Sequence, residues 1–510
     1  MEYKAKRFVE AIKKNFEKDN IIFDSELFEE YTNNTLGFKR NIIGVVFPKN
    51  KWEVIKIVDL ANQFRVSLYP ISRGKNTGYG DKTPIKDNCF IVDLSNMNKI
   101  TEFDNINGFV RVESGVTQEQ LYNFLKKSKS NFWMDVTGSF IDSSIVGCSL
   151  DGGLGHSPKG NRRKIISDIE IVLGNGRIFR TGEFPGLGPD LAGMFVQSNF
   201  GIITSLKIEL IPIPEYFESF VISIYEDKNL ESLIDSINKL KNSGTINSTV
   251  HLANAMRTLV TINKFPKGYS KNQILTNEDA IDIINNPLIK IGYWNALGGL
   301  YGTKKEVKLK KKIIKKNLMS IGKVRYFSDK KINLLRWIVN LLPDKESNIL
   351  KKRVESLKHF HGFLKGEPNN EPTRNIYWRE TNKQNLGLLM FCPVIKSDGK
   401  EVRKVLDISE RIYKKYRFEM PLTLNFADSG KLIGVFSIHF NKEILDENKK
   451  ALDLYNQLSS ILESSGIYRY RTNIINSSLI KYKYGKEEVL KSIKKTLDPN
   501  NIISPGRYGI

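Results

Sequence analysis

An α+β fold in more than one part is the class this sequence predicts, and three observations carry it. Strand-like and helix-like patterns alternate through the first 215 residues. Near residue 215 the composition shifts toward longer helical stretches interspersed with β-rich runs. The chain has 510 residues, more than one ordinary hydrophobic core accommodates. The expected domains are residues 1–215, residues 216–450, and residues 451–510 as a segment returning to the first domain.

The elements follow in order. The start of the chain carries Val9, Ile12 and Phe16 on a charged background and predicts an amphipathic helix, unlike a signal peptide. Asn41–Pro48 predicts a strand, Trp52–Phe64 a helix with Val54, Ile55, Ile57, Val58 and Ala61 at helical spacing, and Val66–Ile71 a second strand. Cys89–Leu94 is strand-like again. Strand, helix and strand recur at Gly108–Ser114, Gln118–Lys127 and Phe132–Val136. Ile165–Leu173 and Arg177–Thr181, joined by Gly174-Asn175-Gly176, predict a hairpin. Ser198–Ile213 is a long β-rich run, and in the second domain Gly387–Val394 and Leu432–Phe440 are others. The tail Asp498–Arg507 is rich in turn residues and is expected to pack on the first domain.

Composition narrows the function classes. Apolar residues make up 40% of the chain, enough for filled cores, yet no uninterrupted apolar run reaches the roughly 18 residues of a spanning helix. Cys89, Cys148 and Cys392 are far apart and show neither a disulfide framework nor zinc spacing, which fits a reducing cytoplasm. Five histidines without ligand-type spacing argue against a histidine-rich metal site. The net charge of +23 comes mainly from lysines spread along the chain, so no nucleic-acid partner is inferred. The densest cluster, Lys304–Lys316, places Leu309, Ile313 and Ile314 on one helical stripe and reads as a solvated helix face. With the nearby apolar run Ile332–Leu342, it also suggests peripheral contact with anionic lipid.

Chemistry concentrates in four stretches. Pro70-Ile71-Ser72-Arg73-Gly74-Lys75-Asn76-Thr77-Gly78-Tyr79-Gly80, between two strands, can turn several backbone N–H groups toward a phosphate. Val146–Pro158 contains four glycines, which allow close backbone approach to a flat or charged ligand. Phe195–Thr204 and Tyr468-Arg469-Tyr470-Arg471-Thr472, followed by the tail, complete the set.

In this order the four stretches resemble the flavoproteins of the vanillyl-alcohol oxidase and p-cresol methylhydroxylase family, closely over about residues 40–215 and 465–510 and weakly between. The resemblance implies a two-subdomain FAD-binding domain of the p-cresol methylhydroxylase type, with an α+β cap domain carrying an antiparallel sheet. It implies that the loop Ser72–Tyr79 wraps the pyrophosphate, with Pro70, Ile71, Ser72, Arg73, Gly74, Lys75, Asn76, Thr77 and Tyr79 in the cofactor set, and that Ser143–Gly155 lines the flavin through Ser143, Ser144, Gly147, Cys148, Asp151, Gly153 and Gly155. Ile202 and Ile203 fall near the adenine end, and Arg507 joins the cofactor set. By the same resemblance, Tyr79, Tyr470 and Arg471 hold a substrate as phenolate, where arginine's fixed charge and the phenolic donors favour the anion.

The chain also departs from the family pattern. The oxidases' catalytic aspartate corresponds to Gly138 or Ser139 here, with Asp135 and Asp142 only flanking it. His156 replaces a pocket tyrosine and is read either as a base or as a wall residue. Lys75 stands where histidyl-linked relatives carry His. The second linkage site falls near Gly434, with His439 expected to face away, so noncovalent FAD is expected. The implied activity is FAD-dependent oxidation of a small phenolic or aromatic alcohol-type substrate, as oxidase or dehydrogenase. A nonaromatic hydroxy acid, polyol or biosynthetic intermediate is the alternative substrate. Oxygen or an electron-transfer protein is the implied acceptor, and a homodimer is the expected assembly.

Overall fold

The computed structural model of the protein describes residues 2–182, 187–266, 268–270, 273–285 and 290–510. Helix Lys51–Phe64 begins where the Asn50 side chain accepts the N–H groups of Trp52 and Glu53, and ends at Arg65 in the left-handed region, φ 59°. It buries Val54, Ile57, Val58 and Ala61 against a four-stranded sheet. In that sheet Ile42–Val46 and Ser67–Ile71 flank Cys89–Asp93 in parallel, and Ile21–Ile22 pairs antiparallel outside. All five residues of Cys89–Asp93 are buried, the expected state of a central parallel strand. The N-terminal helix Glu2–Asn15 adds Phe8 and Ile12 to this core; Phe8 is fully buried and Val9 only partly.

The second subdomain is a five-stranded antiparallel sheet in the order Ile100–Asp104, Phe109–Glu113, Gly201–Glu209, Ile166–Leu173, Ile178–Arg180. The last two strands form the predicted hairpin. Helix Gln118–Lys127 matches its predicted bounds because Thr117 and Gln120 form a capping box. The strand expected at Phe132–Val136 is only Phe132–Trp133, paired with Ile211–Pro212. The residues after it serve a buried polar node instead, described below.

The cap is built on an eight-stranded sheet whose main path runs Lys323–Phe327, Tyr216–Ile224, Trp294–Gly302, Val250–Asn254, Leu422–Phe426, Lys431–Asn441, Leu386–Phe391. Helices Leu230–Asn242, Lys304–Leu318, Gly399–Tyr416 and Leu445–Ser464 share its main core. Helix Leu445–Ser464 runs across position 450 and stays packed on the cap strands. The return to the first domain begins after it. Within the lysine-rich helix, Val307, Ile314 and Leu318 are buried. Leu309, expected on the apolar stripe, is 59% exposed. The helix phase puts it among the lysines because Val307, one residue outside the expected stripe, is the anchor.

The C-terminal tail closes the first domain. Ile503 bridges Leu68 in parallel, and Ser504 N–H donates to the Leu68 carbonyl at 2.8 Å. Lys494, buried, donates to Asp498, to the Asn199 carbonyl and to the Ile503 carbonyl, which locks the tail to the strand region before Gly201. No helix among the described residues is long and apolar enough to cross a membrane.

Candidate active site

One cavity receives residues from every part of this architecture. Loop 70–77, Tyr79, Ser143, Ser144, Gly147, Cys148, Asp151, Ile203, Arg471 and Arg507 all line it. The loop reaches it through left-handed glycines. Gly74 has φ +62° and Gly78 φ +82°, and a Cβ on Gly78 would lie 2.6 Å from Met390 Cγ. Gly78 N–H donates to Thr35 Oγ1, and the N–H groups of Tyr79 and Asp81 donate to the Asn76 carbonyl. The backbone N–H groups of Arg73, Gly74, Lys75, Asn76 and Thr77 form no hydrogen bond among the described residues. Such a run of free donors at a cavity is chemically suited to phosphate oxygens. The short helix Ile145–Leu150 comes close to the loop at Gly147, where a Cβ would sit 3.0 Å from Ser72 Oγ.

Further buried polar atoms of cavity-lining residues have no partner among the described residues: Ser143 Oγ, Ser198 Oγ, Asn199 Oδ1 and Arg471 Nε. Buried polar groups are normally paired, so these fit a polar ligand such as a dinucleotide. Asp151 gathers the C-terminal segment. Its carboxylate ion-pairs with Arg471, accepts the Tyr508 hydroxyl at 2.8 Å, and lies 3.8 Å from Arg507. Arg507 also donates to the Tyr69 hydroxyl at 2.8 Å. Arg471 donates to Asn76 Oδ1 at 2.7 Å, which ties the tail to the loop. Gln197, at φ 53°, donates to the carbonyls of Tyr470 and Asp151.

Tyr79 and Arg471 meet, the guanidinium lying 4.1 Å from the tyrosine ring centroid. The Tyr79 hydroxyl lies 3.0 Å from Cys392 Sγ. Burial pushes the Tyr79 phenol well above its ordinary range, and Asp151 holds Arg471 firmly cationic against its own burial. Lys75 pairs with Asp142 at 2.8 Å.

Several expected positions lie outside the cavity. Tyr470 does not line it; its N–H donates to the Cys392 carbonyl, and burial pushes its phenol up to about 12. His156 sits behind Gly138, 3.6 Å from where a Cβ there would be, and does not line the cavity. Its Nδ1 is 3.0 Å from the Val136 carbonyl, its ring stacks on His251 at 4.2 Å, and Phe360 and Phe363 flank it. Burial lowers its pKa, which favours the neutral imidazole at neutral pH. Gly153 and Gly155 also lie outside the lining: a Cβ on Gly153 would meet Cys148, and one on Gly155 would overlap the Asp135 carboxylate. Asp135 is the node that interrupts the expected strand. It pairs with buried Arg162 at 3.0 Å and accepts the Ser157 hydroxyl. Ile202 is fully buried in the first core, and its neighbour Ile203 faces the cavity, as strand alternation requires.

The place of the family's aspartate is filled by Gly138 and Ser139, both in the lining; Ser139 Oγ bonds Thr137 Oγ1 and Gln118 Nε2. On the cap strand, Val435 lines the cavity, so Gly434 faces away. His439 shares the Val435 face, which reverses the expected orientation of these two residues. Sequence reasoning missed the cap wall altogether: Arg257, Pro372, Thr373, Asn375, Ile376, Leu388, Met390 and Val435. It also passed over Ser198 and Asn199, although both stood in a stretch it had singled out.

Comparison with known proteins fits this geometry. A family profile described as "FAD binding domain" matches residues 42–182. The flavoprotein subunit of 4-cresol dehydrogenase (hydroxylating) from Pseudomonas putida is 27% identical over 472 residues, 90% of this chain and 86% of that one. The 1'-carboxy-chondrochloren decarboxylase of Chondromyces crocatus is 28% identical over 502 residues, 93% of this chain and 92% of that one. The crystal structure of p-cresol methylhydroxylase with substrate bound superposes with a TM-score of 0.90 at 24% identity, covering 100% of this chain and 98% of that one. The protein is an enzyme of FAD-dependent oxidoreductase type, and FAD is its cofactor.

Proposed function

We propose that this chain, a FAD-dependent oxidoreductase similar along its whole length to the p-cresol methylhydroxylase flavoproteins, oxidises a small phenolic or otherwise aromatic alcohol-type substrate. The observation that carries this reading is the shared cavity: Tyr79 and Arg471 line the space that also receives the glycine loop and the apolar cap residues Leu388, Met390 and Val435. Bound FAD supplies the hydride acceptor. Arg471 favours an anionic oxygen through its fixed charge. Tyr79, held protonated by burial, donates to that oxygen after exchanging Cys392 for it. Gly138 and Ser139 supply no carboxylate at that point of the lining, so the proton leaving the substrate there passes to solvent. Anaerobic bleaching of the bound flavin by 4-alkylphenols, polyols and hydroxy acids tests the reading. Phenols are expected to bleach it, and Arg471→Met to slow that step by roughly 100-fold, in line with losing one charged stabiliser. An unchanged rate would remove the phenolate clamp.

The alternative, a nonaromatic hydroxy acid, polyol or biosynthetic intermediate, is favoured by two observations. Arg471 is already neutralised by Asp151, and Tyr470 stands outside the cavity. The same substrate panel separates the two readings. FAD is proposed to be noncovalent, since Lys75 is engaged with Asp142 and the cap strand offers Val435 to the cavity. Acid precipitation should leave the pellet colourless.

A partner surface lies on helix Asp329–Asn340. Leu334, Trp337, Ile338 and the following Leu341 form a stripe at helical spacing, 54%, 62%, 41% and 65% exposed. Lys330 and Lys331 begin the helix, and the lysine-rich helix packs on the neighbouring strands. Apolar stripe and basic flank together suit an anionic bilayer. Sedimentation with phosphatidylglycerol vesicles at low salt should carry the protein down, and Trp337→Glu should abolish it. A solution dimer that buries Trp337 would overturn the assignment.

A further inference from the structure

Among the described residues, Arg257 is the one cation of the cap wall without a role in the proposed function. It stands in the first turn of helix Ala255–Ile262, whose Asn254 cap accepts the Arg257 N–H, while Met256, Leu259 and Val260 anchor the helix in a small core. Its side chain lines the cavity beside the cap residues Val435, Asn375 and Ile376. It makes one polar side-chain contact, donating from Nη1 to Ser437 Oγ at 3.3 Å. No carboxylate among the described residues pairs with it. Arg379, which shares its surroundings, is matched by Glu419.

The other groups of the cavity do not supply the missing charge. Asp151 is engaged by Arg471, Arg507 and Tyr508, and Asp81 accepts the Thr35 N–H and hydroxyl. The nearby imidazoles, His251 and His439, are both kept neutral, in part by Arg257 itself. Burial lowers the Arg257 pKa to about 10, so it remains charged at neutral pH. A chain gains nothing from enclosing a guanidinium without a counter-ion unless an anion arrives there. The planar fork of arginine, steadied by Ser437, matches a carboxylate.

We propose that Arg257 binds a carboxylate carried by the substrate, on the cap side of the cavity. This rests on the reading that the cavity holds a small oxidisable substrate. It adds a cap-side anchor for the substrate to the clamp of Tyr79 and Arg471, which line the same cavity.

The test uses the FAD-loaded enzyme and follows flavin absorbance as ligands are titrated. The probes are 4-hydroxyphenylacetate, phenylacetate and uncharged 4-ethylphenol. Arg257→Met should weaken both carboxylates by at least about tenfold, and 4-ethylphenol by less than about twofold, the expectation for losing one charge-assisted hydrogen-bonded contact. Arg257→Lys should restore part of the loss, and FAD content should match the unaltered enzyme. Equal weakening of charged and neutral probes, or a loss of FAD in both variants, would overturn the assignment. If 4-ethylphenol binds and the carboxylates bind no better than it does, Arg257 is wrongly assigned and the phenol reading survives. If 4-ethylphenol fails to bind while phenylacetate binds in an Arg257-dependent way, the phenol reading falls and the carboxylate site stands. No binding by any probe would overturn both.

Discussion

The two walls of the cavity are made differently. The wall from the first domain is largely main chain: a loop turned by Gly74 and Gly78, a short helix brought close by Gly147, and free N–H groups from Arg73 to Thr77. The cap wall is made of side chains delivered singly by a helix, a 3-10 turn and two strands: Arg257, Thr373, Leu388, Met390 and Val435. Backbone recognition demands glycines at fixed spacing and so leaves a motif. Side-chain recognition needs only a residue at the right place in an already formed fold.

That contrast can be broken in three ways. The largest effect is expected outside either wall. Asp135→Ala strands the Arg162 guanidinium, and both side chains are only 1% exposed. It should cost about 3–5 kcal/mol of stability, read as a lowered urea midpoint, because an unpaired buried charge remains. If the variant instead folds normally and loses only activity, Asp135 belongs to the chemistry after all. Next, Gly78→Val forces a side chain to φ +82° and into Met390. FAD affinity should fall by roughly 30-fold or more, given about 2 kcal/mol of local strain. Full retention of FAD would mean that the loop's conformation does not govern cofactor binding. The smallest effect is expected at His156. His156→Asn should change flavin bleaching by less than about threefold, the range of a residue that does not touch ligand.

His156 also bears on pH. Burial depresses the pKa values of His156, His251, His361 and His439 below 6.5, to about 4 for His361 and about 3 for His439. Above pH 6.5 their neutral forms are accommodated in the fold. As pH falls below 6.5 the unfolded chain takes up protons that the folded chain refuses, so stability drops. The slope approaches about 1.4 kcal/mol per pH unit for each histidine until its folded pKa is reached. Urea titrations between pH 7 and 4 should show this loss, and His156→Asn should flatten it.

Much of the first wall was legible in the sequence. The strand-helix-strand unit stands where its pattern placed it, and the loop and Arg471 line the cavity. The expected positions that fall outside the cavity share one cause. Within a recognised motif, pattern alone does not say which members face the ligand. Gly155 is there to clear Asp135, Ile202 points into the core while Ile203 does not, and His156 is screened by Gly138. Each is decided by a partner distant in sequence. Arg257 left no signal at all, because a single arginine in a helix's first turn becomes notable only once the surrounding carboxylates are accounted for.

The seam between Leu68 and Ile503 has a consequence for the order of assembly. The N–H and carbonyl of Leu68, on the edge strand of the first sheet, wait for hydrogen-bond partners more than 400 positions downstream, and the arginine and tyrosine that close on Asp151 lie four and five residues beyond that seam. During synthesis the cap sheet is finished long before the cofactor chamber has its last wall. A nascent chain therefore carries a complete lid over an incomplete floor until residues 503–508 are in place, and tight FAD capture is expected to wait for that segment.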